Sequence, residues 1–227
     1  MNDRFNKNEH RYRRFRREGG TLWTPGPEEQ ARTVEEVLHF LAENHLVPGS
    51  ASLIEFGCGE AFLAEHLLQR GYRYTGVDLS PSAIDYARHK YRDNPNAGFV
   101  LNDVTDLTTI PGYSFDAGLD IMFLHMLIED EDRRRYLSEV RRVLRPGGCA
   151  LFIQVIRPQD MIKDITGVFS LTGTPRPDDA PDSLPRVPAR FNSEAGYSEE
   201  LEQAGFTIER LSVKEQRCII HLRNPKE

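Results

Sequence analysis

Two glycines and two acidic residues lie close together in the first half of the 227-residue chain. The run LIEFGCGEA, residues 53–61, is a short apolar stretch that includes Glu55 and then turns on Gly57 and Gly59. The next apolar stretch, YTGVD, ends in Asp78. Glycines at a strand-to-helix turn let a ligand approach the backbone closely, and carboxylates accept hydrogen bonds from hydroxyl and ammonium groups. These residues predict a site for a ligand with hydroxyls and an ammonium group.

Two ligand classes have a glycine turn after one strand and an acid after the next. A dinucleotide site has the pattern G-x-G-x-x-G/A, whose last small residue lets the helix and strand pack closely. Counted from Gly57, that position is Phe62, which is large. Glu55 would also repel a pyrophosphate. The cationic ligand is therefore favoured over a dinucleotide.

The elements that position these residues alternate between apolar strands and helices. Strands are predicted at 53–56, 74–78, 98–104, 115–124 and 149–156. A first helix is predicted to open between residues 25 and 28 and to reach at least residue 41, with further helices at 62–70, 81–91, 130–144 and 198–206. This order predicts an α/β fold with a doubly wound parallel sheet and helices on both faces. The run TIERLSVKEQRCIIHLR, residues 207–223, predicts an antiparallel hairpin at the sheet edge, and LRPGG a helix-to-strand turn.

An open α/β sheet binds ligands at the carboxyl ends of its strands. This rule places Gly57, Asp78, Asp103 and the region of Asp120 along one rim of the sheet. One extended ligand would then reach all four.

The ordered runs EFGCGEA, GVDLS, NDV, FDAGLDIMFLHM and LRPGG resemble the class I S-adenosylmethionine-dependent methyltransferase family. The resemblance extends over residues 34–156 and is continued by the terminal hairpin. It implies a Rossmann-like, mostly parallel seven-stranded sheet. It also implies S-adenosyl-L-methionine as cofactor, S-adenosyl-L-homocysteine as product, and methyl transfer to an O, N or other nucleophile.

The resemblance also implies roles for individual residues. Glu55 would lie beneath the methionine part of the cofactor, which the backbone approaches at Gly57 and Gly59, with Ala61 as the next small residue. Asp78 would accept hydrogen bonds from both ribose hydroxyls. The implied contacts with adenine are Leu79, Asp103 and Val104, and those nearest the methyl group are Asp120, Ile121 and Met122.

Three positions depart from the family pattern. Ala61 stands where glycine is frequent, Asp120 where a small or hydroxylated residue is frequent, and LHM at 124–126 where LHH is frequent. His125 and Asp120 are the candidate general bases. The alternatives are that His125 is a hydrogen-bonded packing residue and that Asp120 meets the ammonium group of the cofactor. Because a sulfonium methyl group is already activated, a base is optional.

Two further segments are candidates for acceptor recognition. Residues 157–192 are rich in proline and include the apolar Phe169 and Phe191, which predicts a lid inserted on the ligand rim. Residues 1–30 are a basic segment with the run HRYRRFRR, interpreted as a capping helix or a nucleic-acid patch. Trp23 would form part of an acceptor pocket or anchor this segment.

Composition excludes several other classes. The formal net charge is -6, no apolar run is long enough to span a bilayer, and the three cysteines are widely spaced. The sequence therefore predicts a cytoplasmic monomer or homodimer with reduced, buried thiols, no metal site, no membrane partner and one methyltransferase domain over residues 31–227. The leading function is methylation of a small molecule. The alternatives are an RNA or protein methyltransferase that uses the arginine-rich segment, and a cofactor-binding protein without turnover.

Overall fold

The computed structural model describes Glu9 and residues 26–157, 160–165 and 187–226. Its helices are, in chain order, α1 (Pro27–Glu43), α2 (Phe62–Gln69), α3 (Pro81–Lys90), α4 (Asp130–Val143) and α5 (Glu194–Gln203), with a short 3₁₀ turn at Leu124–Met126. Its strands are β1 (Ser52–Phe56), β2 (Arg73–Asp78), β3 (Ala97–Leu101), β4 (Phe115–Ile121), β5 (Leu144–Val155), β6 (Met161–Ile165), β7 (Val187–Phe191), β8 (Thr207–Lys214) and β9 (Arg217–Arg223).

Seven of these strands form one sheet in the order β3-β2-β1-β4-β5-β9-β8. The first five strands in this order pair in parallel, whereas β9 pairs antiparallel with both β5 and β8. The predicted fold class is confirmed, including the terminal hairpin, whose strand β8 forms one edge of the sheet.

The core consists of one apolar layer on each face of the sheet. Successive side chains of a strand point to opposite faces, so Leu53 of β1 belongs to one layer and Ile54 and Phe56 to the other. Helices α1, α2 and α3 cover the first layer, and α4 and α5 cover the second. A sheet covered on both faces leaves the strand ends as the place where a ligand is reached.

Hydroxyl side chains set the start of two helices. Ser80 caps α3, because its Oγ accepts a hydrogen bond from the backbone N–H of Ala83 at 3.2 Å. The last helix begins at Glu194, four residues before the predicted start at Ser198. The reason is a second cap, in which Ser193 Oγ accepts from the N–H of Gly196 at 3.1 Å.

The prediction that LRPGG is only a turn was wrong. Strand β5 already begins at Leu144, which pairs with Phe115, and the register then shifts before Ala117 pairs with Cys149. Gly147 lies within this irregular stretch at φ 77°, a left-handed conformation that glycine tolerates. The run is therefore an irregular first part of the strand.

The ends of the segment predicted as a lid form a second sheet of two strands, β6 and β7. They pair antiparallel from Met161 with Phe191 to Ile165 with Val187. Ala189 and Phe191 of β7 pack against Val155 at the end of β5. The rest of the predicted lid lies outside the described residues.

Two predictions concern the whole chain. The cysteines Cys58, Cys149 and Cys218 are free thiols and all are buried, as expected. Across the described ranges, no helix combines the length and the apolar character needed to cross a membrane.

Candidate functional site

The sheet register brings the predicted rim residues together. Phe56, which precedes Gly57, is paired with Val77 on one side and with Asp120 on the other. The turn after β1 therefore lies between Asp78 at the end of β2 and the loop after β4. This is the carboxyl end of the parallel strands, where the sequence places a ligand site.

Asp78 is held in place by two backbone N–H groups. Gly59 donates to Oδ2 and Ser80 donates to Oδ1, each at 2.8 Å. Burial raises the pKa of Asp78, and the backbone donors oppose this effect. Each carboxylate oxygen has a further lone pair, so the fixed carboxylate can accept from two neighbouring hydroxyls.

Glu55 is a buried acid on the same rim. Its carboxyl accepts a hydrogen bond from the hydroxyl of Tyr74. Burial raises the pKa of Glu55 to about 8, and the charges of Asp78 and Asp120 add to this effect. A cation placed beside the group would lower that pKa again and stabilise the carboxylate. The residue therefore fits a positively charged ligand.

The two small residues of the turn have different reasons to be small. Gly57 has φ 67°, and a Cβ built on it would be 2.0 Å from Cδ2 of Phe123. Ala61 is the N-cap of α2 and also lies in the left-handed region, with φ 56° and ψ 54°. Glycine is thus required at position 57 by the ring of Phe123, whereas Ala61 adopts a conformation that costs it free energy.

Asp103 follows β3 and is half-buried. Its Oδ1 accepts from the N–H of Thr105 at 2.9 Å and from its hydroxyl at 2.8 Å. These bonds fix the carboxylate and leave Oδ2 for a ligand. Val104, the next residue, is buried, and Leu79 after β2 is half-buried.

Asp120 is fully buried below the loop that follows β4. It accepts hydrogen bonds from the N–H groups of Phe123 and Leu124, from the hydroxyl of Tyr136 at 2.8 Å and from the amide of Gln154 at 2.7 Å. Burial raises its pKa to about 6, and these donors oppose the effect. Through these hydrogen bonds Asp120 holds the backbone of the loop after β4 in place. Met122 in this loop has φ 64°.

His125 lies in the 3₁₀ turn and is buried against β7. Its ring stacks on Phe191 with 5.4 Å between centroids and 15° between planes. Burial lowers the pKa of His125 to about 4, and its Nδ1 is buried with no hydrogen-bond partner among the described residues. The imidazole is therefore neutral at pH 7. Gln154 donates to Asp120 through Nε2, whereas its Oε1 has no hydrogen-bond partner in the described part of the chain.

Arg133 of α4 was not identified from the sequence. It is 1% exposed, and its Nη1 donates to the backbone carbonyls of Leu124 and Leu127 at 2.9 Å each. The rest of the guanidinium forms a bidentate ion pair with Glu200 of α5. Arg133 therefore fixes the loop that contains His125. Its signal in the sequence is its position on the apolar stripe of α4, three residues before the buried Tyr136.

The candidate acceptor residues are only partly described. Phe191 is buried beside His125, and Met122 and Met126 pack on the same cluster. Trp23, Phe169 and the basic run HRYRRFRR lie outside the described residues. Ile121, the last residue of β4, is half-buried.

Glu9 is the one described residue of the segment 1–25, and its role was not predicted from the sequence. It is buried, and its carboxylate accepts from the hydroxyls of Ser80 at 2.7 Å and Ser82 at 2.5 Å. Its charge also contributes to the raised pKa of Asp78. Glu9 thus contacts the start of α3 beside the ribose-binding acid predicted from the sequence.

Comparison with known proteins gives relatives that are mostly named as methyltransferases, beside an S-adenosyl-L-methionine-dependent Diels-Alderase of Talaromyces variabilis. Residues 54–152 match the family described as Methyltransferase domain. A malonyl-[acyl-carrier protein] O-methyltransferase of Serratia marcescens is 33% identical over 122 residues, which are 53% of this chain and 44% of that protein. A fatty-acid O-methyltransferase of Mycolicibacterium smegmatis is 35% identical over 102 residues, 44% of this chain and 35% of that protein. The chain spans about half the length of the curated relatives it matches.

Solved structures show the same fold. A Burkholderia thailandensis 1,6-didemethyltoxoflavin-N1-methyltransferase, with 1,6-didemethyltoxoflavin and S-adenosylhomocysteine bound, has a TM-score of 0.65 at 20% identity, covering 85% of this chain and 77% of that one. A Methanosarcina mazei S-adenosylmethionine-dependent methyltransferase has a TM-score of 0.67 at 18% identity, covering 84% and 98%. The sheet order and the glycine turn agree with the resemblance: residues 54–152 are similar to the methyltransferase domain family, and the fold is that of S-adenosylmethionine-dependent methyltransferases.

Proposed function

We propose that the protein transfers the methyl group of S-adenosylmethionine to a nucleophile of a small-molecule acceptor. The observation that supports this most is the Asp78 carboxylate, which two backbone N–H groups hold at the rim. Beside it lies the buried Glu55, whose carboxylate form a cation would stabilise. A diol and a positive charge in one ligand satisfy both groups. The bound cofactor supplies an activated sulfonium methyl group.

Three acids of the chain hold the cofactor. Asp78 accepts from the two ribose hydroxyls, and Oδ2 of Asp103 accepts from the adenine amino group between Leu79 and Val104. Glu55 stabilises the positive charge of the methionine part. This assignment fits the structure, because the first two carboxylates are already fixed by Gly59, Ser80 and Thr105 before any ligand binds.

Positioning of the acceptor is the main catalytic effect in this proposal. Met122, Met126 and Phe191 form an apolar surface beside the loop after β4, where an acceptor is held in line with the methyl group and water is excluded. Neutral His125 accepts the proton of an alcohol or phenol acceptor, and the stack on Phe191 orients its ring. Asp120 contributes by bracing the loop.

The small-molecule acceptor is supported by the relatives and by the apolar surface. The two O-methyltransferases and the structure with bound 1,6-didemethyltoxoflavin are named for acceptors other than nucleic acids. Residues 31–227 form the methyltransferase domain in this proposal, with residues 157–192 as a lid over the acceptor.

The test combines cofactor binding with methyl transfer. Titration calorimetry with S-adenosylmethionine compares wild type, Asp78→Asn and the control Asp85→Asn, an exposed position on α3. We expect about a hundredfold weaker binding for Asp78→Asn, because two charge-assisted hydrogen bonds are weakened, and no change for the control. Cofactor with a labelled methyl group is then incubated with a cell extract that is separated into small-molecule, RNA and protein fractions. Label in the small molecules supports the proposal, whereas label in RNA or protein, or no turnover, contradicts it.

A further inference from the structure

Arg217 is a buried cation at the same rim of the sheet. It is the first residue of β9 and pairs with Val155, the last residue of β5. Directly paired residues of neighbouring strands have side chains on the same face. Val155 packs against Phe191, the residue that stacks on His125. The side chain of Arg217 therefore starts next to the proposed acceptor surface.

The guanidinium of Arg217 has few acceptors for its five N–H donors. The residue is 6% exposed. Its Nη2 donates to the hydroxyl of Thr33 at 3.3 Å, and its Nε is buried with no hydrogen-bond partner in the described part of the chain. A buried donor without an acceptor is unfavourable, so such donors are rare in folded proteins and call for an explanation.

Nearby charges compensate the buried guanidinium only in part. Burial lowers the pKa of Arg217, while the charges of Glu29, Glu36 and Glu215 oppose this effect and Arg32 adds to it. Glu29 lies on the first turn of α1, the helix that also contains Thr33. The net direction remains a lowered pKa, which means that the site would gain from one more negative charge.

A second arginine lies at the end of β5. Arg157 follows Val155 by two residues, and its guanidinium is 5.4 Å from the ring centroid of Phe191. It also donates to the carbonyl of Ile156 at 3.0 Å and to the side chain of Gln216. Positive charge thus borders an apolar and aromatic surface, an arrangement that suits a ligand with an anionic end and an apolar body.

We infer that Arg217 binds a carboxylate group of the acceptor, an inference that rests on the proposed function. The carboxylate accepts from Nε and a terminal N–H of the guanidinium, as in a bidentate arginine–carboxylate pair. The apolar part of the acceptor then lies against Phe191 and the methionines of the loop after β4. The carboxylate is an anchor, and the methylated nucleophile is at another position of the acceptor.

The experiment uses octanoate and its neutral counterpart octanamide as probes. Both are titrated by calorimetry into the full chain saturated with S-adenosylhomocysteine, whose own binding is recorded first. For wild type we expect octanoate to bind about tenfold more tightly than octanamide, from a charge-assisted bidentate pair. In Arg217→Gln the two probes bind equally and octanamide is unaffected. The matched control is Arg210→Gln on β8, whose guanidinium pairs with Glu43 away from the rim.

A second variant, Arg217→Lys, distinguishes loss of the carboxylate site from loss of the fold. Arg217→Lys keeps the charge but cannot form the bidentate pair, so it loses most of the tenfold preference for octanoate and keeps a cooperative thermal transition. The inference is overturned if wild type does not prefer octanoate over octanamide, or if both substitutions weaken the two probes by the same factor. Failure of S-adenosylhomocysteine to bind would instead contradict the proposed function, so the two failures are distinguished within one titration series.

Discussion

The ring of Phe123 lies where a side chain at Gly57 would have to be: a Cβ at Gly57 would be 2.0 Å from Cδ2 of Phe123. The two residues belong to the turns after β1 and β4, which are neighbouring strands of the sheet. The glycine turn and the loop of His125 are therefore fitted to each other. A change on one side of this contact must move the other.

Gly57→Ala should lower the free energy of unfolding by about 2–4 kcal/mol, because the methyl group overlaps a ring and the backbone is left-handed. Urea denaturation measures this loss. In a Phe123→Ala background the same change should cost only about 1–2 kcal/mol, which is the backbone part. Gly26→Ala is the control, since a Cβ there meets nothing within 4 Å, and should cost less than about 1 kcal/mol. An equal cost of Gly57→Ala in both backgrounds would show that the ring contact is unimportant.

Ala61→Gly should leave the free energy of unfolding nearly unchanged, although Ala61 is fully buried. Relief of a left-handed alanine gains about 1–2 kcal/mol, and loss of one buried methyl group and added freedom of the unfolded chain cost about the same. The matched substitution is Ala64→Gly in α2, also fully buried but helical, which should cost about 2 kcal/mol. Chemical denaturation of both variants decides, and equal losses would contradict strain at position 61.

Local signals in the sequence predicted the parts of the site that lie at strand ends. The apolar runs ending at Gly57 and Asp78 identify parallel strands, and parallel strands place their carboxyl ends at one rim. The partners of those residues are also local, as in the bond from Ser80 to Asp78. Periodicity and topology are sufficient for such features.

Features that depend on contacts between distant segments were not predictable in the same way. The stack of His125 on Phe191 depends on the β6–β7 sheet, whose strands give no strong alternation. In the run of three arginines at 133–135, only the buried face of α4 decides that Arg133 is internal. The burial of Asp120 depends on Gln154 and Tyr136, which come from other elements.

Stability should fall with pH through the titration of Glu55. Its pKa is about 8 when folded against an ordinary value of 4.5, so the folded state holds the proton more tightly. The contribution is complete below about pH 4.5 and is lost as pH rises towards 8. Glu55→Gln cannot titrate, so its free energy of unfolding relative to wild type should rise between pH 5 and pH 8. Denaturation at several pH values measures this difference, and a constant difference would contradict the raised pKa.

Because the pKa of Glu55 is raised, we also expect a proton to be released when the cofactor binds. A cation beside Glu55 lowers its pKa, so wild type should release a proton when S-adenosylmethionine binds at pH 7. Calorimetry in two buffers with different heats of ionisation counts the protons. Glu55→Gln should release fewer, and Glu65→Gln, an exposed position on α2, should match wild type. Equal proton release by all three proteins would mean that the cofactor does not bind beside Glu55.

His125→Phe tests the imidazole without removing the ring that stacks on Phe191. If the imidazole is the general base, kcat should fall by about 10²-fold while the melting temperature stays near that of wild type. Because the pKa of His125 is about 4, the wild-type kcat should show no acid limb from this residue between pH 5.5 and 8. Full activity of the phenylalanine variant would assign His125 to packing alone.

Arg133 and Arg134 are neighbours in sequence with opposite surroundings, which makes them a matched pair for substitution by methionine. Arg133→Met removes a buried partner of Glu200 and leaves the carbonyls of Leu124 and Leu127 without their donor, so it should cost about 3–5 kcal/mol. Arg134→Met breaks only an exposed pair with Glu131 and should cost less than about 1 kcal/mol.

Adding Glu200→Leu to Arg133→Met should recover part of the stability, since no unpaired acid is then left. It should not recover kcat, because the carbonyls of the loop remain without a donor and His125 is no longer held. Urea denaturation and turnover of the two single variants and the double variant separate these effects. Recovery of kcat together with stability would mean that the ion pair serves the fold and that Arg133 does not position the loop.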